Sequence, residues 1–291
     1  MPHHPRLLIA GCGDIGSRLG VHLSRQAWTV HGLRRSIERL PVGIQPVAGD
    51  LSDARAPADW PTMPLDYVVF AAAATRHDES GYRSAYVEGL GHVLDWLRQH
   101  GQAPRRILFV SSSSVYGQRD GEWVDETSPT EPEGYNGRLL LEAEQLLQQS
   151  EFAATVVRLT GLYGPGREWL LNQVRQGYQV SDEPPLYGNR IHADDAAGLL
   201  ACLLEADHQD RRLDDIYVGV DDEPAPLHEV IAWLRNALGV THRTEGAAPR
   251  RGGSKRCRNQ RSRDLGWTPR YPSFREGYAS ILAASRDEPA R

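Results

Sequence analysis

Gly11-Cys12-Gly13-Asp14-Ile15-Gly16 is the stretch on which the reading of this chain turns. Leu7-Leu8-Ile9-Ala10 precedes it, a short apolar run of the kind that forms a buried strand. Ile15, Leu19 and Leu23 follow at i, i+4 and i+8, the buried stripe of a helix. A G-x-G-x-x-G that leaves a strand and enters a helix is a dinucleotide fingerprint. One glycine turns the chain, one lets the backbone approach a pyrophosphate, and one lets helix and strand pack closely. The free N–H groups of the helix start then face the anion. Gly11, Gly13, Asp14, Ile15 and Gly16 are therefore candidate cofactor contacts. The plain alternative is a glycine turn in an ordinary α/β protein.

Outward from this motif, Trp28 to Leu33 reads as a second strand, ending in Arg34 and Arg35. A dinucleotide fold puts its ribose selector there, about 20 residues past the glycines. NAD asks for an acid at that point, and none is adjacent in sequence. A guanidinium pair suits a 2′-phosphate, so the expected cofactor is NADP, with NAD second. Two solvated arginines on a loop are the alternative. Pro46 to Ala48 reads as a third strand; Asp50 and Leu51 beyond it meet the adenine edge or begin a turn. Asp66 to Phe70 is a fourth strand, and Ala71, Ala72 and Ala73 are small enough for a cofactor to lie across them. Tyr82, Tyr86, Leu90, Val93, Leu94 and Leu97 form a helical stripe. Arg106 to Val110 is a fifth strand opening into Ser111 to Ser114. Tyr135 begins a helix, and Thr155 to Leu159 is a sixth strand. Strands alternating with helices from residue 6 to 160 predict a parallel, doubly wound Rossmann-type sheet. A smaller C-terminal substrate-binding region follows. The expected division is 1–165 plus about 189–224 for the dinucleotide domain, and about 166–188 plus 225–291 for the substrate region. The polar loop to Pro132 and the Gly- and Arg-rich tail from 246 to 263 read as irregular.

The chain has 291 residues, 40% of them hydrophobic, enough for a sizeable core. A net charge of −5 leaves no global basic field for nucleic acid. Cys12, Cys202 and Cys257 are odd in number and unpatterned, which fits a reducing cytoplasm and neither disulfides nor a metal site. No leader or spanning segment is apparent, so a membrane partner is not expected.

Six landmarks in order then resemble the extended short-chain dehydrogenase/reductase family, the NAD-dependent epimerases and dehydratases. They are Gly11 to Gly16, Ser111 to Gly117, Tyr135 with Glu142, Arg158 to Gly166, Asn189 to Ala196, and Leu265-Gly266-Trp267-Thr268-Pro269. The resemblance covers nearly the whole chain. The glycine spacing is tighter than the usual G-x-x-G-x-x-G, as in an atypical bacterial subgroup. The resemblance implies hydride transfer between nicotinamide and an oxygen-bearing carbon of a small-molecule substrate. It maps the proton-transferring tyrosine onto Tyr135 and the oxygen-holding serine onto Ser112, with Ser113 the runner-up. Thr160, Gly161 and Tyr163 match a loop over the nicotinamide. Arg190 and His192 match a segment that lines the junction of the two domains and are candidate substrate contacts, although a structural histidine is as good a reading. Family members often pair as homodimers through two helices, here the stripe from Tyr82 and the helix from Tyr135, both of which also read as core.

Two members of the family's set are missing. Leu139 stands where the resemblance implies a lysine, and Tyr86 where it implies an asparagine. Lys255 is the only lysine of the chain. A tyrosine near pKa 10 is a poor base at neutral pH. Arg138, one turn from Tyr135, is the candidate for positive charge beside it. A neutral tyrosine can still donate, so carbonyl reduction is easier to support than alcohol oxidation. The alternative from another class is an NADP-binding sensor or partner-binding module with little turnover. Asp194 and Asp195 read as helix caps. The basic residues from Arg250 to Arg263 read equally as a substrate-diphosphate site or a solvated loop.

Overall fold

The computed structural model describes residues 4–244 and 253–287. In chain order β1 (Arg6–Ala10), α1 (Asp14–Ser24), β2 (Thr29–Arg34), β3 (Ile44–Ala48) and β4 (Tyr67–Phe70) form the first half of the sheet. Next, α2 (Glu79–Tyr82) passes through a π-helical stretch (Arg83–Glu88) into α3 (Gly89–Gln99). β5 (Arg106–Ser112), β6 (Asp120–Val124), α4 (Tyr135–Gln148), β7 (Ala154–Leu159), β8 (Gly161–Tyr163) and α5 (Trp169–Arg175) follow. The chain closes with β9 (Arg190–His192), α6 (Ala193–His208), β10 (Ile216–Gly219), α7 (Leu227–Leu238), β11 (Ser254–Cys257), α8 (Gln260–Asp264) and α9 (Phe274–Asp287).

Seven strands form one parallel sheet in the order β10-β7-β5-β4-β1-β2-β3. The order reverses beside β1, the switch point at which such sheets open a crevice at their carboxyl ends. Both faces are covered. Leu7 and Ile9 of β1 join Leu19 and Leu23 of α1 and Leu199, Leu200 and Leu203 of α6. Leu8 and Ala10 point the other way, toward Leu90, Val93 and Leu97 of α3 and Leu140 and Leu147 of α4. The alternation of a strand thus feeds two cores, which is why β1 is apolar throughout. The stripe on α3 and the apolar face of α4 are spent on this core.

A third cluster joins α5, α7 and α9 through Leu171, Val174, Val230, Leu234 and Phe274. Two short parallel pairs, β8 with β9 and β11 with β6, lie beyond the main sheet. The second pair corrects the reading of both polar stretches as irregular. A polar strand forms here because distant partners satisfy its side chains. Lys255 is buried and donates from Nζ to the Tyr116 carbonyl at 3.0 Å. The Arg256 guanidinium lies 4.8 Å from the ring centres of both Trp123 and Tyr187. Arg250 and Arg251 lie outside the described residues.

Candidate functional site

At the carboxyl ends of the strands lies a cleft of about 850 Å³, lined from the glycine loop to Ser111, Ser112 and Thr160. Gly11 has φ +81, and a Cβ there would fall 2.6 Å from the Ala72 backbone. No other residue type fits so close an approach. A Cβ at Gly16 would meet Ile9 Cγ2 at 2.8 Å, so this glycine sets the helix against the strand and faces no ligand. At Gly13 a Cβ would meet only the Gly11 carbonyl, at 3.9 Å. That open space at the start of α1, bounded by free backbone amides, fits a dinucleotide diphosphate. Ala71, Ala72, Ala73, Leu51 and Ile15 also line the cleft. Cys12 does too, but burial pushes its thiol up to about 11, against the pull of Ser17 and Arg34, so it is no nucleophile at neutral pH.

Asp14 opens α1. Burial alone would raise its carboxyl, but Arg167 and Arg18 each donate to it at 2.7 Å and hold it below the usual value. Arg18 continues to Asp194, so the four side chains form one chain of ion pairs across the cleft's mouth.

Arg34 and Arg35 both line the cleft, but each is already engaged within the chain. Arg34 is turned back and donates to the Cys12 carbonyl at 3.1 Å. Arg35 faces Asp50, at 3.9 Å. Asp50 lies just beyond β3, which pairs beside β2 with Arg34 opposite Ala48. The carboxylate beside Arg35 therefore comes from beyond the neighbouring strand, not from the end of β2. Hydrogen bonds from Ser52, then Arg35, keep its carboxyl ionised against burial.

Beneath the other end, β5 carries the serines. Ser111 and Ser112 line the cleft, whereas Ser113 does not. Ser112 Oγ accepts from the Ser114 amide at 3.2 Å and so fixes the turn that ends the strand. Ser111 donates to Glu144 at 2.5 Å, and Glu144 takes the Arg158 guanidinium at 2.6 Å. Arg158 also donates to the Tyr116 hydroxyl at 3.0 Å. All three charged or hydroxyl groups on β5, α4 and β7 are buried. This network was not anticipated; only the pairing of β5 with β7 reveals it.

Tyr135 does not line the cleft. Its hydroxyl donates to the His77 carbonyl at 2.5 Å, and its ring stands edge-on to Tyr82. Arg138 is not the neighbour expected for it. It is exposed and donates to the Glu133 carbonyl, because its place on α4 points outward. Leu139 is buried beside it. The phenol in the cleft wall is Tyr86, together with Ser84 and Ala85. These three consecutive residues sit in the π-helical stretch, where the wider turn brings adjacent side chains to one side. Burial raises the Tyr86 phenol, and a hydrogen bond with the Ala74 backbone acts against that.

The segment expected to cover the nicotinamide is split by strand alternation. Thr160 and Leu162 line the cleft; Gly161 and Tyr163 do not. Arg190 and His192 pair opposite Gly161 and Tyr163; both are buried and neither lines the cleft. His192 Nδ1 accepts from the Asp194 amide, making the histidine the cap of α6, and burial lowers its pKa. Asp195 instead receives the Arg270 and Tyr271 amides, at 2.6 and 3.0 Å, and fastens the C-terminal region. Arg256 and Arg261 are engaged by the Gly121 and Ile216 carbonyls. Among the described residues there is no cluster of three or more metal-ligating side chains, and no helix is long and apolar enough to cross a membrane.

The family model described as "NAD dependent epimerase/dehydratase family" matches residues 7–219. A Methylobacillus flagellatus structure assigned to the NAD-dependent epimerases/dehydratases is 33% identical, with TM-score 0.81, over 98% of this chain and 100% of that one. A 3-diazoavenalumate denitrifying reductase of a Streptomyces is 28% identical over 94% of this chain and 98% of that one. A Thermus thermophilus UDP-glucose 4-epimerase solved with NAD shares the fold at TM-score 0.79 and 21% identity, over 98% and 100% of the two chains. The NAD dependence of the matched family, with Asp50 beside Arg35, overturns the expectation of NADP.

Proposed function

This chain belongs to the NAD dependent epimerase/dehydratase family, an enzyme family of NAD(P)-dependent oxidoreductase chemistry, and within it we propose an NAD-dependent reductase of a small polar carbonyl compound. The observation that carries this reading is the continuous cleft from the open glycine loop to Ser112 and Thr160. The reduced cofactor, NADH, would supply the hydride when bound and would leave as NAD. The chain's part is to hold the carbonyl and deliver a proton to its oxygen. Ser112 Oγ, at the floor of the cleft, donates to that oxygen. Tyr135 supplies the proton after its hydroxyl leaves the His77 carbonyl. A second reading, supported by the place of Tyr86 in the cleft wall, makes Tyr86 the donor. In either case a neutral phenol suffices for reduction, so the lysine replaced by Leu139 is dispensable in that direction. Residues 166–188, 225–244 and 253–287 form the substrate side. The name of the Streptomyces relative, a reductase, supports the reductive direction. The internal contacts of Arg256 and Arg261 favour a substrate without a nucleotide.

NADH deuterated at the transferable position, incubated with a metabolite extract and read by mass spectrometry, tests this. Label transferred by the wild-type chain, and reduced by Ser112→Ala, is the expected result. The donor should cost on the order of 10²–10⁴ in rate when changed to phenylalanine. Loss in Tyr135→Phe alone supports the first reading, and loss in Tyr86→Phe alone the second. Tight NAD binding with no transfer at all would support a cofactor-binding module instead.

A further inference from the structure

We infer that Arg167 is a ligand of the cofactor diphosphate and that Asp14 positions it; the inference rests on the reading that the cleft takes NAD. Arg167 lines the cleft 153 residues away in sequence from the helix start that it touches. Its loop bends through Gly164 at φ +144 and Gly166 at φ +79, backbone that an L side chain rarely adopts. The Arg167 amide closes the turn on the Gly164 carbonyl at 2.9 Å. This geometry hands the guanidinium to Asp14 by Nε alone. The two terminal nitrogens have no hydrogen-bond partner among the described residues. Arg167 and Gly13 line the same cleft, and the space beside Gly13, where a diphosphate would lie, is open.

The charges around it explain why an aspartate is tolerated in the fingerprint. A carboxylate at the first position of α1 opposes an incoming diphosphate, while the amides behind it attract one. Both Asp14 oxygens are occupied, one by Arg18 and one by Arg167. Asp194 balances Arg18 in turn. The four charges cancel, and the remaining donors are those of Arg167. A planar guanidinium held at Nε presents its two outer nitrogens as a fork, the geometry that phosphate oxygens accept. Asp14 thus fixes the fork without consuming it.

Titration calorimetry with NAD and ADP-ribose, and ligand-observed NMR with adenosine, test the assignment on the full chain. Arg167→Ala should weaken NAD and ADP-ribose alike, each about tenfold, and leave adenosine unchanged. Arg167→Lys should recover part of the loss, and Asp14→Asn should weaken the two diphosphates less than Arg167→Ala. Equal weakening of all three ligands by Arg167→Ala would mean a merely structural role and overturn the inference. Unchanged NAD affinity in that variant would overturn it too, while the NAD reading stands. A wild-type chain that binds none of the three would sink that reading and this inference with it.

Discussion

Glu144 and Arg158 meet beneath the serine end of the cleft with side chains 1% and 4% exposed. Asp14 and Arg167 meet across its diphosphate end with 35% and 37% exposed. The two pairs have similar contact distances, 2.6 and 2.7 Å, so geometry does not separate them. Solvent does. A buried ion has no water to return to, and its partner is obligatory. An ion at the surface of a cleft keeps water as an alternative, and its partner can be shared with a ligand. The serine end is thus a fixed floor, and the diphosphate end is adjustable.

Removing one member of the buried pair breaks the contrast most sharply. Glu144→Ala should cost about 3–5 kcal/mol in urea unfolding, because the Arg158 charge is left alone in the interior. A double replacement, Glu144→Leu with Arg158→Met, should recover most of that loss. If the single variant unfolds like wild type, the pair is not the fixed floor described here.

A smaller effect should come from the adenosine end. The wild-type chain should bind NADH more tightly than NADPH, and Asp50→Ala should narrow that preference by about tenfold. Fluorescence titration of both reduced cofactors measures it. A preference unaffected by Asp50 would break the account of how Asp50, just beyond β3, supplies the ribose acid.

The smallest effect concerns acidity. Asp14 has a depressed carboxyl in the folded chain, so its contribution is present above the unfolded value, about 3.9, and fades as pH falls through the folded one. Thermal melts should therefore show Asp14→Asn below wild type at pH 6, with the gap narrowing as the pH falls below about 3.9. A gap that persists in acid would show that the side chain acts by packing and not by charge.

Some of this was legible in the residues and some was not, for reasons that differ by position. Arg34 and Arg35 looked like a phosphate selector because the search ran along β2. In the fold Arg34 turns back to the Cys12 carbonyl, and Arg35 faces Asp50, just beyond the neighbouring strand β3. Thr160, Gly161 and Tyr163 looked like one loop, but a strand sends alternate side chains to opposite faces, and only Thr160 reaches the cleft. Tyr135 begins α4 as its sequence suggested, yet its hydroxyl is held by a carbonyl 58 residues away. Tyr86 stood out only as the residue in place of the family's asparagine and as a member of an apolar stripe, and neither pointed to a phenol in the cleft wall. Its presence in the wall follows from a π-helical stretch, which a helical pattern does not encode.

What the sequence alone determined is the architecture: strands apolar on both faces, helices apolar on one, and glycines where the chain turns between them. Those features depend on residues within a few positions of one another, and local periodicity records them. What only the tertiary structure decided is which charges meet: Asp50 with Arg35, Asp14 with Arg167, Glu144 with Arg158, Lys255 with the Tyr116 carbonyl. The order of strands in the sheet brings those partners together across the chain. Their burial then decides whether each contact is permanent or open to a ligand.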